Sequence, residues 1–223
     1  MKELDDLLKL ERVSETCPIM YTTLPTPIIR EMWEWMRECR KIKDHPLSVL
    51  KSHENAGYEL RDEGLKFNSY QCSIPPHLVE KSYWLAWILR LVGKYYHRGS
   101  YNHRGFRLRR YPGHFDAYDV WMNFAYKGDS NPIHNHAGYL SGVVYIKNDK
   151  GEPTIFPGYN VEYNGAPGTM VLFPSQKTMH GVDEKMTRNE RVTIAFNIEK
   201  TNWLKSGEGI DGEKYMTDEE DVI

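Results

Sequence analysis

The chain has 223 residues and a formal net charge of −2, and 40 % of its residues are hydrophobic and 27 % are charged. This length favours one domain with a full core, and this composition is typical of an ordered globular protein, which excludes a largely disordered chain. The longest apolar run, residues 84–92, contains Arg90 and is too short to span a bilayer. We therefore expect no membrane partner.

The three cysteines and the N-terminal sequence indicate the compartment. Cys17, Cys39 and Cys72 are odd in number, lie far apart and form no C-x-x-C pattern, so they predict neither a disulfide framework nor a zinc ribbon. The first residues, MKELDDLLKLERV, lack the apolar segment of a signal peptide. Both features predict a cytoplasmic protein with reduced thiols.

Two helices are predicted in the first half of the chain. Thr26 is a favourable N-cap and Pro27 suits the first helical turn. In the sequence that follows, IIREMWEWMRECRK, the side chains of Ile29, Trp33, Met36 and Arg40 fall at helical spacing. A second helix is predicted from Pro76 to residue 97, with a broad apolar face that we assign to core packing.

From residue 106 onward, runs with a period of two predict short strands. These runs are FRLRRY, DVWMNFAY, LSGVVYI, TMVLF, TMHGV and RVTIAFNIE. The gaps between them are too short for crossover helices, which favours a closed antiparallel architecture. We predict a mainly β protein, a jelly-roll barrel with flanking N-terminal helices. Its single domain would span 1–205, with helical support over about 1–100 and the barrel core over about 105–200, before an acidic tail at 206–223.

Charge is distributed unevenly along the chain. Residues 81–115 contain eight Lys or Arg and no acid, whereas residues 208–221 contain seven acids and one Lys. The segment from Arg90 to Arg110 interleaves arginines with tyrosines, which is compatible with nucleic-acid binding through phosphate contacts and stacking. We favour the simpler interpretation, in which basic residues cover a solvated helix face and protect a strand edge.

A set of histidines carries the clearest chemical signal. His134 and His136 are separated by one residue, and residues at i and i+2 of a strand face the same side. His180 lies at the start of a later short strand, and Arg191 begins the next one. Because alternate residues of every strand in a small barrel point inward, all four side chains can meet inside. Imidazole suits iron, zinc, copper and nickel, so the sequence predicts a metal site with three histidine ligands.

Several further motifs accompany these residues. They are W-x-N at 121–123, K-G at 127–128, S-G-V-x-Y at 141–145, G-x-x-x-L-F-P-S at 168–175 and R-x-x-I-x-F-N at 191–197. Together with H-x-H at 134–136 and the later His180, they resemble the pattern of the 2-oxoglutarate- and iron(II)-dependent oxygenases, a family with the double-stranded β-helix fold. The resemblance covers residues 119–199 well and the rest of the chain weakly.

The resemblance implies that the three histidines hold Fe(II) and that 2-oxoglutarate is the cosubstrate. Arg191 would bind the distal carboxylate of 2-oxoglutarate, and Tyr145 would donate a hydroxyl to the same carboxylate. Asn123 and Ser141 are further candidates for cosubstrate contact; the alternatives are an Asn satisfied by backbone and a bulge beside Gly142. The implied reaction consumes O2, releases succinate and CO2, and hydroxylates a primary substrate that the sequence does not identify.

One position departs from the oxygenase pattern. Many members of the wider superfamily place Asp or Glu two residues after the first histidine, where this chain has His136. Three neutral ligands leave the site one charge more positive than two histidines and a carboxylate would. A carboxylate from Asp129 or Asp183 is the alternative third ligand, with His136 then supporting the site from outside the coordination sphere.

Two rival functions stay open at the level of sequence. A metallo-cupin would use a similar G-x5-H-x-H segment, but the glutamate that usually follows is absent and Arg191 would have no role. Such an enzyme would bind its own substrate to the metal without 2-oxoglutarate. A non-catalytic barrel that binds nucleic acid through the segment from Arg90 to Arg110 is the second rival.

Overall fold

A computed structural model of the protein describes residues 10–14, 17–43, 69–79, 82–84, 87–88, 115–148, 152–183 and 188–200. In chain order its strands are β1 (Glu11–Arg12), β2 (Met20–Thr23), β3 (Tyr70–Ser73), β4 (Phe115–Ala125), β5 (Asn131–His134), β6 (Leu140–Lys147), β7 (Thr154–Phe156), β8 (Val161–Tyr163), β9 (Thr169–Pro174), β10 (His180–Val182) and β11 (Arg191–Lys200). Its helices are α1 (Thr26–Lys43) and α2 (Pro76–Val79), with a 3₁₀ turn at Pro157–Tyr159.

The strands form two antiparallel sheets. The larger sheet has the order β1-β2-β9-β6-β11-β4-β3, and the smaller has the order β5-β10-β7-β8. Strands close in sequence are therefore divided between the sheets; β9 lies in the larger sheet and β10 in the smaller. This alternation is the arrangement of a jelly roll, and the predicted fold class is confirmed.

The first hundred residues contribute more than helical support. β2 pairs with β9 and β3 pairs with β4, so the N-terminal region extends the larger sheet on both sides. Strands of four residues such as MYTT and YQCS carry too few alternations to be separated from loop sequence by period alone. The predicted helical support over about 1–100 is thus accompanied by short strands, and the predicted domain limits stay a prediction because both ends of the chain lie outside the described ranges.

The larger sheet has two apolar faces. Its outer face packs under α1, where the buried residues are Ile28, Met32, Trp35, Met36 and Cys39. The predicted stripe of Ile29, Trp33, Met36 and Arg40 is therefore rotated, and Trp33 is 38 % exposed. Both registers have helical spacing, so the period alone does not choose between them. A second cluster packs against the inner face and includes Phe156 from β7 of the smaller sheet; its members are Cys17, Ile19, Val143, Tyr145, Phe156, Val171 and Phe173.

Some predictions fall outside the described residues. α2 begins at Pro76 as predicted but ends at Val79, and Ser82 is not helical, so the prediction of one continuous helix up to residue 97 is wrong there; most of the rest of this segment is not described. The same holds for the run FRLRRY, for all eight basic residues of segment 81–115 and for the acidic tail. Within the described part of the chain, no helix is long and apolar enough to cross a membrane.

Candidate metal centre

The three predicted histidines converge between the two sheets. One nitrogen of each ring of His134, His136 and His180 lies within 4.8 Å of the corresponding nitrogens of the other two. The ring centroids are 4.4 Å apart for His134 and His180, 4.7 Å for His134 and His136, and 5.1 Å for His136 and His180. The three imidazoles are therefore close enough together to bind one metal ion.

Two of these rings are placed by strand pairing and the third by a loop. His134 ends β5, His180 begins β10, and the two residues are direct partners in the antiparallel register. His136 lies beyond the end of β5, so the prediction that both histidines share one strand is not met. The chain turns here toward Gly138, whose φ of 100° is readily adopted only by glycine, and the His136 ring still faces the other two.

Hydrogen bonds select the tautomers of the two strand histidines. His134 Nδ1 lies 2.7 Å from the carbonyl oxygen of Pro132, and His180 Nδ1 lies 3.3 Å from that of Thr178. A carbonyl only accepts, so each Nδ1 carries the proton and each Nε2 keeps a lone pair. This is the arrangement in which a histidine binds a metal through one nitrogen while the other is held by the protein.

The site favours neutral imidazoles. Burial lowers the pKa of His134, and the hydrogen bond to Pro132 opposes this only in part. Burial and the neighbouring His134 lower the pKa of His136 to about 4. Burial also holds the pKa of His180 well below its ordinary value. All three rings are therefore available as ligands at neutral pH, because a ligating imidazole must be deprotonated.

The contact between two ring nitrogens tests whether these residues fit a metal ion. His134 Nε2 and His136 Nε2 lie 3.2 Å apart. With both rings neutral, this contact is a hydrogen bond. His134 carries its proton on Nδ1, so His136 donates its Nε2–H to the lone pair of His134 Nε2, and a bound ion would take the place of that proton. The donor set of borderline imidazole nitrogens fits a first-row transition metal.

A carboxylate does not join this cluster in the described part of the chain. The only group of three or more ligand side chains found there consists of the histidines alone. Asp129 instead accepts a hydrogen bond from the backbone N–H of Tyr126 at 2.7 Å, within a turn. Asp183 is an exposed residue just after β10. The structure therefore brings neither Asp129 nor Asp183 to the histidines.

A buried cation lies at the start of β11. Arg191 is only 6 % exposed, and its Nη2 donates to Thr154 Oγ1 at 3.3 Å. The Tyr145 hydroxyl lies 2.6 Å from the same Thr154 oxygen, and the guanidinium carbon is 5.5 Å from the Tyr145 ring centroid. We call Arg191, Tyr145 and Thr154 the clamp. Its position on β11, β6 and β7 joins the two sheets.

The clamp retains unused donor capacity. Arg191 Nε is buried without a hydrogen-bond partner among the described residues. Burial lowers the pKa of Arg191, whereas Tyr145 and Glu152 raise it, and the guanidinium stays charged. Burial raises the pKa of Tyr145 to about 12, so its hydroxyl keeps its proton. A buried cation with a free N–H beside a neutral hydroxyl is suited to an anionic ligand.

The other two predicted site residues have different surroundings. Asn123 Nδ2 donates to Thr193 Oγ1 at 3.4 Å, and Asn123 Oδ1 is buried with no partner in the described ranges. Thr193 lies two residues after Arg191 and pairs with Tyr145 across the strands. Ser141 lies on the inner face of β6, where its hydroxyl bonds other side chains. Asn123 thus contacts β11, which carries Arg191, and the cosubstrate roles of Asn123 and Ser141 both stay predictions.

Sequence reasoning missed the polar residues that connect the site. Thr154 lies in β7, whose three residues TIF give no periodic signal. Thr193 and Asn197, in contrast, alternate with apolar residues in RVTIAFN and share the inward parity of Arg191. Period-two parity could therefore have identified these two, but not Thr154.

Known structures share this fold. A prolyl hydroxylase from Trichoplax adhaerens, solved with a peptide fragment of the hypoxia inducible factor oxygen degradation domain, matches with 11 % identity over 89 % of this chain and 90 % of its own, at a TM-score of 0.55. The dioxygenase for auxin oxidation 1 from Arabidopsis thaliana, solved with 2-oxoglutarate, matches with 12 % identity over 89 % of this chain and 88 % of its own, at a TM-score of 0.54. A prolyl-4-hydroxylase from Pseudomonas putida matches with 17 % identity over 89 % of this chain and 97 % of its own, at a TM-score of 0.52.

No protein-family model and no curated protein matches the chain. At identities of 11 to 17 %, the structural likeness concerns the fold. The chain has the jelly-roll fold that these oxygenases have, and its three histidines and the clamp lie between the two sheets of that fold.

Proposed function

We propose that this protein is a 2-oxoglutarate- and Fe(II)-dependent oxygenase that hydroxylates a primary substrate. One observation carries the proposal: three neutral, converging imidazoles share the interior of this fold with a buried arginine whose Nε has no partner among the described residues. A metal and a dianionic cosubstrate account for both features together.

The ion would be held by His134, His136 and His180. One nitrogen of each ring lies within 4.8 Å of the corresponding nitrogens of the other two, and the carbonyls of Pro132 and Thr178 fix two of the rings through Nδ1. Bound Fe(II) and 2-oxoglutarate supply oxidative decarboxylation of the 2-oxo acid by O2 and hydroxylation of a carbon, with succinate and CO2 as products. Ligand choice, orientation and shielding are the contributions of this chain.

The clamp would bind the distal carboxylate of 2-oxoglutarate. The Arg191 guanidinium presents a free Nε–H and a planar charge, which suits a two-point interaction with a carboxylate. The protonated Tyr145 hydroxyl is a second donor, and Thr154 holds the two groups together. Because the clamp is buried, water does not compete effectively for these donors and the interaction with an anion is strengthened.

Aromatic residues would shield the centre from water. The Phe173 ring centroid is 4.5 Å from that of His180, and Phe156 packs against Phe173 at 5.1 Å. Both phenylalanines have 0 % exposure. A dry wall beside the histidines lowers the local dielectric constant and protects a reactive centre from side reactions.

The experiment that tests this function is succinate formation from 2-oxoglutarate in the presence of Fe(II) and O2. We expect turnover by the wild type and none by His180→Ala or Arg191→Ala. His77→Ala and Arg188→Ala are matched controls, because both parent side chains are exposed and lie outside the site. Equal succinate formation by all five proteins would contradict the proposal, and so would its absence from the wild type.

A metallo-cupin is the second candidate, because three histidines without a carboxylate also form such sites. The clamp favours the oxygenase, since a cupin would have no anionic cosubstrate for Arg191. A titration separates the two: 2-oxoglutarate increases the metal-dependent absorbance of an oxygenase and leaves that of a cupin unchanged. We also propose a cytoplasmic location, which the three free, buried cysteines support.

A further inference from the structure

His136 differs from the other two histidines in how it is held. His134 and His180 lie in paired strands, and their rings are bound by backbone carbonyls. His136 lies in the loop between β5 and β6, and within the described ranges its ring forms a hydrogen bond with His134 Nε2 and none with a backbone carbonyl. Something other than strand pairing must therefore keep this loop against the site.

The loop is attached to the residues that follow β9. The backbone N–H of His136 donates to the Ser175 carbonyl at 3.3 Å, and the Ser175 N–H donates to the Tyr139 carbonyl at 3.2 Å. Asn135 Nδ2 adds a bond of 2.9 Å to the Gln176 carbonyl. Three hydrogen bonds thus connect the loop to a two-residue segment, and Ser175 takes part in two of them.

Ser175 is itself anchored by its side chain. Ser141 Oγ donates to Asn197 Oδ1 at 2.7 Å and lies 2.8 Å from Ser175 Oγ. Since the single proton of Ser141 is committed to Asn197, Ser175 donates to Ser141. Ser175, Ser141 and Asn197 are 0 %, 2 % and 4 % exposed, so water cannot replace these bonds. The chain of contacts runs from β11 through β6 to the residue that holds the His136 backbone.

We propose that Ser141, Ser175 and Asn197 are positioning residues that fix His136 as the third metal ligand. The proposal rests on the proposed function in requiring a metal at the histidines, and it assigns Ser141 to His136 in place of the cosubstrate. It explains how a ligand outside any strand reaches the same centre as two ligands inside strands. The loop is oriented by a buried hydroxyl relay whose far end lies in the middle of the larger sheet.

The relay has a measurable consequence for metal affinity. Removing the Ser175 hydroxyl leaves Ser141 without its donor and removes the side-chain anchor of the backbone segment that binds His136. Residues that support ligands from outside the coordination sphere typically change metal affinity by about 10- to 100-fold. The effect must pass through the His136 ring, so it must vanish when that ring is absent.

A double-mutant cycle with Co(II) tests this route. The full-length apoprotein is titrated with Co(II), and binding is followed by the visible absorbance of the bound ion for the wild type, Ser175→Ala, His136→Ala and the double variant. We expect Ser175→Ala to weaken binding by about 10-fold or more in the wild type and to have no further effect in His136→Ala. Thr22→Ala is the control, because it removes a hydroxyl that is likewise buried but pairs with Met170, near the end of β9 opposite to Ser175.

Three results would overturn the proposal. These are an unchanged Co(II) affinity in Ser175→Ala, an equal loss in both backgrounds, or an unchanged affinity in His136→Ala. The same cycle with Ser141→Ala covers the case in which Ser175→Ala does not fold, and the thermal unfolding of each apoprotein reports folding separately. Co(II) binding needs no turnover, so absence of succinate formation with an intact cycle would refute the oxygenase and leave the relay standing.

Discussion

His134 and His180 are register partners on β5 and β10, and their ring centroids lie 4.4 Å apart. Backbone hydrogen bonds between these strands therefore set the distance between two ligands before any ion binds. A site that is assembled by strand pairing avoids much of the conformational cost of gathering its ligands.

Gly181 allows this close approach, and its substitution tests the point. A Cβ at this position would lie 2.8 Å from both the Asn131 carbonyl oxygen and Ile133 Cδ1. We expect Gly181→Ala to force β5 and β10 apart, to lower the free energy of unfolding by about 1–3 kcal/mol and to weaken metal binding. Urea unfolding and Co(II) titration measure the two effects. Gly158→Ala is the control, since a Cβ there meets nothing within 4 Å; equal behaviour of the two variants would contradict the account.

The clamp predicts a selective effect on cosubstrate binding. Tyr145→Phe removes a hydroxyl that lies 2.6 Å from Thr154 Oγ1 and removes one donor to a bound carboxylate. We expect the dissociation constant of 2-oxoglutarate to rise about 5-fold, equivalent to about 1 kcal/mol, while Co(II) affinity is retained. Tyr163 packs against Tyr145 with ring centroids 5.7 Å apart, and Tyr163→Phe is the control, which should leave both constants unchanged. A loss of Co(II) affinity in Tyr145→Phe would show that the clamp and the metal site are not separate.

Glu190 predicts a pH-dependent contribution to stability. It lies beside Arg191 and accepts from Arg40 at 2.5 Å and Tyr126 at 2.8 Å, with Lys147 at 3.4 Å. Burial raises the pKa of Glu190, but these contacts outweigh burial and the pKa is lowered. A carboxylate with a lowered folded-state pKa stabilises the protein above its unfolded-state pKa and loses that effect as pH falls through the folded-state pKa.

Glu190→Gln therefore should destabilise the protein at pH 7 by about 1 kcal/mol, and the difference from wild type should shrink as the pH falls below about 4. Urea unfolding at both pH values measures this difference. Glu162→Gln is the control, because Glu162 is exposed on β8. A destabilisation of equal size at pH 7 and below pH 4 would contradict a role for the Glu190 charge.

The cysteines predict resistance to thiol reagents. Cys17, Cys39 and Cys72 are free and are 2 %, 0 % and 7 % exposed. The hydrogen bond that the Cys39 thiol donates to Cys72, together with burial, raises the pKa of Cys39. We expect a chromogenic disulfide reagent to detect no thiol in the native protein and three after unfolding. Rapid reaction of even one thiol in the native state would contradict the burial of these three side chains.

The sequence predicts the strands that contain long runs of alternating residues. RVTIAFNIE and LSGVVYI have enough alternations to mark β11 and β6, and they also place Arg191 and Tyr145 on inward positions. The short strands β2, β3 and β7 are not predicted, because three or four residues do not define a period. Thr154 lies on β7 and is therefore not predicted either. Their position is decided by pairing with distant strands, which is tertiary information.

In the candidate site, the metal ligands can be predicted from the sequence, but the residues that hold them in place cannot. Histidine spacing predicts that His134, His136 and His180 meet, because chemistry restricts which residues bind metals. Histidine spacing does not show that His136 lies in a loop, which depends on the turn after β5. It also does not show that Ser175 holds this loop, because His136 and Ser175 are far apart in sequence and meet only in the fold. Ligand identity is local in sequence, whereas ligand support is not.

The most direct measurement is a titration of the wild-type protein with 2-oxoglutarate in the presence of Fe(II) and absence of oxygen, followed by visible absorbance. The account predicts a new absorption band that saturates with 2-oxoglutarate, that is absent in His180→Ala and that needs a higher concentration of 2-oxoglutarate in Arg191→Ala. If 2-oxoglutarate leaves the spectrum of the Fe(II)-loaded wild type unchanged, the buried site does not hold iron and cosubstrate together.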